Sequence, residues 1–271
     1  LTGLVDDIRG LNARTKLIGQ LLASICVVAF GSTLEFVPHI PGEKIIEYIL
    51  TVIWLIGITN AFNFLDGMDG LASGLGFIYA LFFAFIIWPL GQYDATFIAV
   101  ALAGGCLGFI PYNFKRARIF LGDSGSTFIG FILAGIAVAG SWGEQNPIIA
   151  ICIPLFILGV PIFDMIYTTA SRIKNGSIKT VREWLEFTGK DHFHHRLNHL
   201  GMNEIETVFF IYFVSLCLGL SAIVLHQVNT IGTILLACQA VFIFLIIVVL
   251  MLVGRERFPK IFNKNNGTPP V

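Results

Sequence analysis

The sequence predicts an all-α, polytopic transmembrane helix bundle of about eight spanning helices. Three observations carry this expectation. Only 13% of the 271 residues are charged while 56% are hydrophobic, and the mean hydropathy is +0.82; a soluble domain carries about 25% charged residues. Eight apolar runs reach the roughly 20 residues that a spanning helix needs. The basic residues, finally, fall almost entirely on one side of those runs.

Taken in order, a polar segment 1–15 precedes the first run, 16–37, which stops at Pro38 and Pro41-Gly42. The run 45–65 stops at Asp66-Gly67, 71–90 at Pro89 and Gly91, and 95–113 at the basic stretch that follows. Gly122-Asp123 precedes 125–142, and Gly143 to Pro147 separates it from 147–171. Val228-Asn229 divides 207–226 from 230–253. Glycine, proline and aspartate at these junctions interrupt helices for distinct backbone reasons. The five cysteines all lie inside apolar runs and read as small buried hydrophobes rather than a disulfide or metal framework.

Alternating crossings place the loops 1–15, 66–70, 114–124 and 172–206, and the polar tail 254–271, on one face. That face holds 16 of the 17 Lys and Arg residues, with only Lys44 opposite. By the positive-inside rule it is the cytoplasmic face. The same parity collects the chemistry-bearing groups there: Asp6-Asp7, Asp66 and Asp69, Asp123, and the histidines of 192–199. Residues 1–253 thus form an integral membrane domain with its active site on the cytoplasmic face.

The stretch NAFNFLDGMDGLASG, 60–74, carries Asn60, Asn63, Asp66 and Asp69 at a membrane boundary, where acids are costly to desolvate. Asp6-Asp7 reads either as a solvated loop or as part of a site. Asp123, in FLGDSGSTFIG, reads as a helix cap or a ligand, with Ser124 and Ser126 as further caps. Such glycine-serine turns also suit phosphate. Five carboxylates on one face call for a neutralising cation unless several stay solvated. Oxygen ligands favour magnesium, with manganese as the alternative, over zinc.

In GKDHFHHRLNHLG, His192, His195 and His199 share one face of a helix. A zinc site, a solvated loop and a phosphate-binding, proton-handling patch with Arg196 are the three readings, and the last is favoured because no cysteine is near. Asp164 lies about 12 Å along its helix from Arg172, and reads as a hydrogen-bonded structural acid ahead of a direct role. Phe120 reads as core ahead of a stacking platform.

Together GLVDDIRGLNARTKLIGQ, NAFNFLDGMDGLASG, FLGDSGSTFIG, VPIFDMIY and DHFHHRLNHLG resemble the polyprenyl-phosphate sugar-1-phosphate transferases, over residues 1 to about 253. The resemblance implies a magnesium-dependent transfer of N-acetylhexosamine-1-phosphate, with GlcNAc-1-phosphate favoured. The donor is a UDP-sugar and the acceptor undecaprenyl phosphate, in the bacterial cytoplasmic membrane. It implies that Asp6, Asp7, Asp66, Asp69 and Asp123 form the catalytic face, with Asp6-Asp7 near the lipid phosphate. Asn63 and Asp123 are implied as metal residues. Lys16, Asn60, Phe120 (stacked on uracil), His192, His194, His195 and Arg196 are implied as substrate contacts. His-Phe-His-His-Arg-Leu is closer to the GlcNAc-1-phosphate branch than to the branch making lipid I, which remains the alternative. The expected partners are the UDP-sugar, the lipid phosphate and the bilayer, with a homodimer left open and no nucleic acid. Two or three more spanning helices are implied before Asp6, so the sequence is expected to be a fragment or a late start. A secondary transporter is the non-enzyme rival, but it would place its charges near the midplane.

Overall fold

The structure, a computed structural model, describes residues 1–34, 42–142, 147–180, 183, 191–225 and 227–257. The breakers expected at Pro38, Pro41 and Gly143 and the tail from 258 onward lie outside the described residues. Among the described residues every regular element is helical: α1 Thr2–Arg9, α2 Ala13–Ala29, α3 Glu43–Leu65, α4 Leu71–Ile87, α5 Tyr93–Asn113, α6 Gly122–Ala139, α7 Pro147–Ile157, α8 Gly159–Lys174, α9 Phe193–His199, α10 Glu204–Leu225 and α11 Thr230–Arg257.

Helix α4 is the centre of the bundle. It runs from the Asp66–Gly70 turn and buries Leu71, Leu75, Tyr79, Phe83 and Ile87 completely. It packs against α5, α6 and α10, while α3 packs against α6. Inside this apolar core the Tyr79 hydroxyl of α4 is paired with Ser215 of α10 at 3.1 Å, which offsets the cost of burying it. At the other extreme, only 11% of the apolar window of α11 is buried within protein. Its remaining surface has the character of a face turned to lipid.

Two of the eight expected crossings differ. Among the described residues six helices (α3, α4, α5, α6, α10 and α11) are long and apolar enough to cross a bilayer, and counting α7 with α8 as one broken span makes seven. The run 147–171 is not one straight helix: α7 and α8 meet at 82°. The cause is local. Pro161 has no N–H to give Ile157, and its ring disfavours a continuous helix at the preceding turn. Leu158 accordingly leaves helical geometry, with φ −94° and ψ 21°. Of the run 16–37, the described residues are helical only within α2, which ends at Ala29 after 17 residues with Phe30 as its C-cap. That is about 25 Å of rise against a hydrocarbon core of about 30 Å.

Short α1 lies against the N-terminus of α6. A side chain at Gly3 would put its Cβ 2.7 Å from the Asp123 carbonyl carbon and the Ser124 Cα, so only glycine allows the approach. This contact brings the first motif of the chain onto a helix more than a hundred residues later.

Candidate active site

At one end of the bundle the C-terminus of α3, the N-termini of α2, α4 and α6, and the short helices α1 and α9 meet. The Lys16 ammonium, at the start of α2, makes ion pairs with both Asp6 of α1 and Asp123 of α6. Asp6 also accepts the Leu11 N–H at 2.6 Å. Its carboxyl is held below the usual carboxylate range, chiefly by a hydrogen bond shared with Asp123 and further by Lys16 and Leu11, against the opposing effect of burial. Asp7 turns to the N-terminus of α6, where its two oxygens accept the Asp123 and Ser124 N–H groups, each at 2.9 Å.

This arrangement corrects the expected capping. Neither Asp123 nor Ser124 caps α6; Asp7 does so from another helix, where a negative charge is favoured by unpaired amides and the helix dipole. The Ser126 hydroxyl instead shares its one proton between Asn63 Oδ1, at 2.5 Å, and the Gly122 carbonyl, at 2.7 Å. Asn63 is thereby fixed beside the first turn of α6. Asn60, one turn earlier, exchanges amide bonds with Gln20 of α2 at 2.7 and 3.2 Å and bonds the Ile56 carbonyl. The structure thus places Asn60 in the joint between α2 and α3.

The turn between α3 and α4 links two halves of the site. Burial, then the charges of Asp123 and Asp7, raise the Asp66 carboxyl to about 7, so it lies within the field of the acid cluster. Asp69 faces the other way and accepts the Ala117 N–H at 2.9 Å. Asn113, at the end of α5, accepts from Gly70 N–H at 3.1 Å and from Ser73 at 2.8 Å, and donates to the Ile119 carbonyl at 3.0 Å. It therefore anchors the segment that presents Phe120, which is 73% exposed. That exposure overturns the core reading of Phe120 and leaves its ring open to a ligand. Sequence reasoning missed Asn113, which looks like an ordinary helix end.

The histidine motif forms the second half. His192 is the N-cap of α9, with extended backbone, rather than a member of its helical face; the His199 side chain lies outside the described residues. The His192 ring stacks on Phe64 at 4.9 Å, and its Nδ1 meets Asp164 Oδ2 of α8 at 3.0 Å. His194 is 1% exposed, and neither ring nitrogen has a hydrogen-bond partner among the described residues. Burial above all, with the neighbouring His195, lowers its pKa to about 3, so it is neutral. Its ring lies against Gly67, where a Cβ would collide with Nε2. His195 is 4.2 Å from it, centroid to centroid. Arg196 donates to the Asp191 carbonyl at 2.6 Å and to Ser171 at 3.0 Å, and covers the Tyr167 ring at 5.0 Å. Asp191 forms a bidentate pair with Arg172 at 2.6 and 2.8 Å. Burial opposes ionisation of Asp191, but Arg172 outweighs it and holds the carboxyl below its usual range.

The donor set around Lys16 suits a hard divalent cation. It consists of carboxylate and amide oxygens, and an ammonium is already drawn between two of the carboxylates. Among the described residues no three His, Cys, Asp or Glu converge closely enough to hold an ion unaided. Phosphate oxygens and water would complete the shell of an ion held by Asp123 and Asn63. Beside this cluster an apolar cavity of about 420 Å³ runs between α4, α5 and α6, lined by Leu102, Gly105, Phe109, Leu121, Gly125 and Phe128 among others.

A polytopic helical bundle with a lysine-bridged acid cluster and a histidine motif gathered at one end defines a helical membrane protein with a polar candidate site at the end of its spans. The chain belongs to glycosyl transferase family 4, whose description matches residues 1–141. It is 35% identical over 249 residues to a probable undecaprenyl-phosphate N-acetylglucosaminyl 1-phosphate transferase of Bacillus subtilis, covering 90% of this chain and 66% of that protein. It is 35% identical over 239 residues to a decaprenyl-phosphate N-acetylglucosaminephosphotransferase of Mycobacterium leprae, covering 78% and 58%. A phospho-N-acetylmuramoyl-pentapeptide-transferase of Enterococcus faecalis is 38% identical over 154 residues, covering 51% and 48%. The chain thus spans less than two thirds of the length of these relatives. The family read from the motifs is borne out.

Proposed function

We propose that this protein transfers N-acetylglucosamine-1-phosphate from UDP-N-acetylglucosamine to undecaprenyl phosphate. UMP leaves, and the lipid-diphosphate sugar that starts a cell-envelope glycan stays in the membrane. The observation that carries the reading is the convergence of Asp6 and Lys16, on the two first helices, with Asp123 of the distant α6, next to an exposed Phe120 and an apolar cavity. Anion, base and isoprenoid chain would each have a place at one end of the bundle. The names of the relatives support the same substrates. The motif-bearing end would face the cytoplasm, because the basic residues collect there.

The chemistry follows from charge. A phosphate monoester has its second pKa at about 6, so the lipid nucleophile is already ionised and needs no strong base. Asp6, with its lowered pKa, is ionised too and serves to seat Lys16 rather than to take a proton. Lys16 screens the approach of the two anionic reactants, which in-line attack on the β-phosphorus requires. Asp123 and Asn63 would hold Mg2+, which when bound supplies further neutralisation of phosphate charge. Phe120 would stack on uracil, and the histidine motif would receive the sugar diphosphate.

The second reading, transfer of phospho-MurNAc-pentapeptide, draws on the Enterococcus relative, whose match is shorter. UMP release by the full-length gene product in detergent decides, with undecaprenyl phosphate, Mg2+ and either UDP-N-acetylglucosamine or UDP-MurNAc-pentapeptide. Release with the first alone is expected. Release with the second alone replaces the sugar, and release with neither by folded protein overturns the transferase reading.

A further inference from the structure

Asp164 is 1% exposed and both of its oxygens are spent on the histidine motif. Oδ1 accepts the Phe193 N–H at 2.6 Å and the Thr168 hydroxyl at 3.1 Å. Oδ2 meets His192 Nδ1 at 3.0 Å. The other ring nitrogen, Nε2, lies 3.4 Å from the Arg172 guanidinium. Arginine has donors only, so Nε2 is the acceptor of that contact and the proton of a neutral His192 is on Nδ1, donated to Asp164. One carboxylate therefore does two things. It satisfies an orphan amide in the first turn of α9, and it fixes the tautomer and tilt of the ring at the N-cap.

The orientation propagates to the rest of the motif. The His192 ring stacks on Phe64, at the end of α3 and two residues before Asp66. The His194 ring lies nearly parallel to it, at 6° and 6.2 Å. Arg172, whose guanidinium meets Nε2, also holds Asp191, the residue before His192. A structural acid facing the bundle would need only one of these contacts. We propose that Asp164 is a positioning residue for the transfer reaction: it sets the tautomer of His192 and so the placement of the histidine motif that receives the sugar nucleotide. The role in turnover rests on the proposed function; the tautomer does not.

Asparagine is the informative substitution. In Asp164→Asn the amide oxygen still accepts the Phe193 N–H, but the amide nitrogen now donates to His192 Nδ1. The ring proton moves to Nε2, where it faces the donors of Arg172. Helix α9 keeps its anchor while the imidazole carries the wrong tautomer, the kind of defect that a carboxylate-to-amide change produces behind a catalytic histidine.

The experiment uses full-length protein labelled with 15N-histidine, and records long-range 15N–1H correlations of His192 together with steady-state kinetics. The wild-type protein is expected to show the Nδ1–H form, and Asp164→Asn the Nε2–H form. The variant should raise the KM for UDP-N-acetylglucosamine by about 10–100-fold, the scale on which metal-bound histidines feel the loss of an orienting partner, while the KM for undecaprenyl phosphate stays within about twofold. A wild-type Nε2–H form overturns the proposal without any variant, which covers the case in which Asp164→Asn does not fold. An unchanged tautomer in the variant, or equal rises in both KM values, overturns it as well. Absence of turnover in the wild type would remove the transferase reading, and the tautomer measurement would then decide the structural half alone.

Discussion

Lys16 and Asp123 are 107 positions apart in the chain and joined in an ion pair at the membrane-boundary end of the bundle. The pair is shared with Asp6, so one ammonium holds two carboxylates that would otherwise repel. Removing Lys16 leaves those carboxylates facing each other, and removing the Asp123 charge leaves Lys16 with a single partner. Both Lys16→Met and Asp123→Asn should lower kcat by about 100-fold or more. Residues acting as a unit are not additive, so the double variant should fall little below the worse single one. Initial rates of UMP release across the four proteins check this; additive losses would separate the two residues functionally.

Gly67 is the corresponding contact in the other half of the site. Its Cα hydrogen side faces the His194 ring, and a methyl group there has no room. His194 is packed on all sides, at 1% exposure, so it cannot retreat cheaply. Gly67→Ala should lower kcat/KM for the sugar nucleotide by roughly tenfold or more, as overpacking costs about 1–3 kcal/mol. Adding His194→Ala opens the space. The double variant should then be no worse than His194→Ala alone, a relation that parallel kinetics of the three variants would test.

Much of this site was legible in the sequence because its parts are polar groups in an apolar chain. Asp66 and Asp123 stand out at helix ends, and alternating crossings put them on one face. What the sequence did not expose are relationships between distant side chains. Asp7 rather than Ser124 caps α6, because α1 folds back through the gap left at Gly3. Asp164 bonds a histidine 28 residues away, and periodicity carries no information about that. Pro161 was visible, but an 82° bend also requires the neighbouring helices that receive both halves. Asn113 gave no signal, and residue pattern alone put Phe120 in the core where the resemblance put it on a ligand, for one reason: burial near the end of a helix is decided by the loop that follows.

The carboxyl of Asp66 gives a pH signature. Its pKa in the folded protein, about 7, lies above the ordinary value of 3.8, first through burial and then through Asp123 and Asp7. The folded state therefore holds a proton that the unfolded state releases between about pH 4 and 7. The contribution of this group to stability is full below pH 4, declines as pH rises through that window and is lost above 7. Asp66→Asn removes the dependence. Its melting temperature relative to wild type should be higher at pH 8 than at pH 5 by about 3 °C or more, read by thermal unfolding in detergent at both pH values. An equal difference at the two pH values would place Asp66 in an ordinary solvated setting.

The apolar cavity beside Asp123 offers a test of where the isoprenoid chain lies. Leu121 and Gly125 of its wall flank Asp123 by two residues on either side, so a phosphate held at the acid cluster would have its tail at the mouth. Gly105 lies on the opposite wall, on α5, and a Cβ there meets nothing within 4 Å. A leucine has room for its Cβ there, and its branch would take up part of the space. Gly105→Leu should raise the KM for undecaprenyl phosphate about tenfold, equivalent to ~1.4 kcal/mol, and leave the KM for UDP-N-acetylglucosamine unchanged. Gly104 is equally unobstructed but does not line the cavity, so Gly104→Leu is the matched control and should behave as wild type. A polyprenyl phosphate with a tail too short to enter should not distinguish Gly105→Leu from wild type. If the two leucine variants behave alike with the long lipid, the tail runs elsewhere along the bundle.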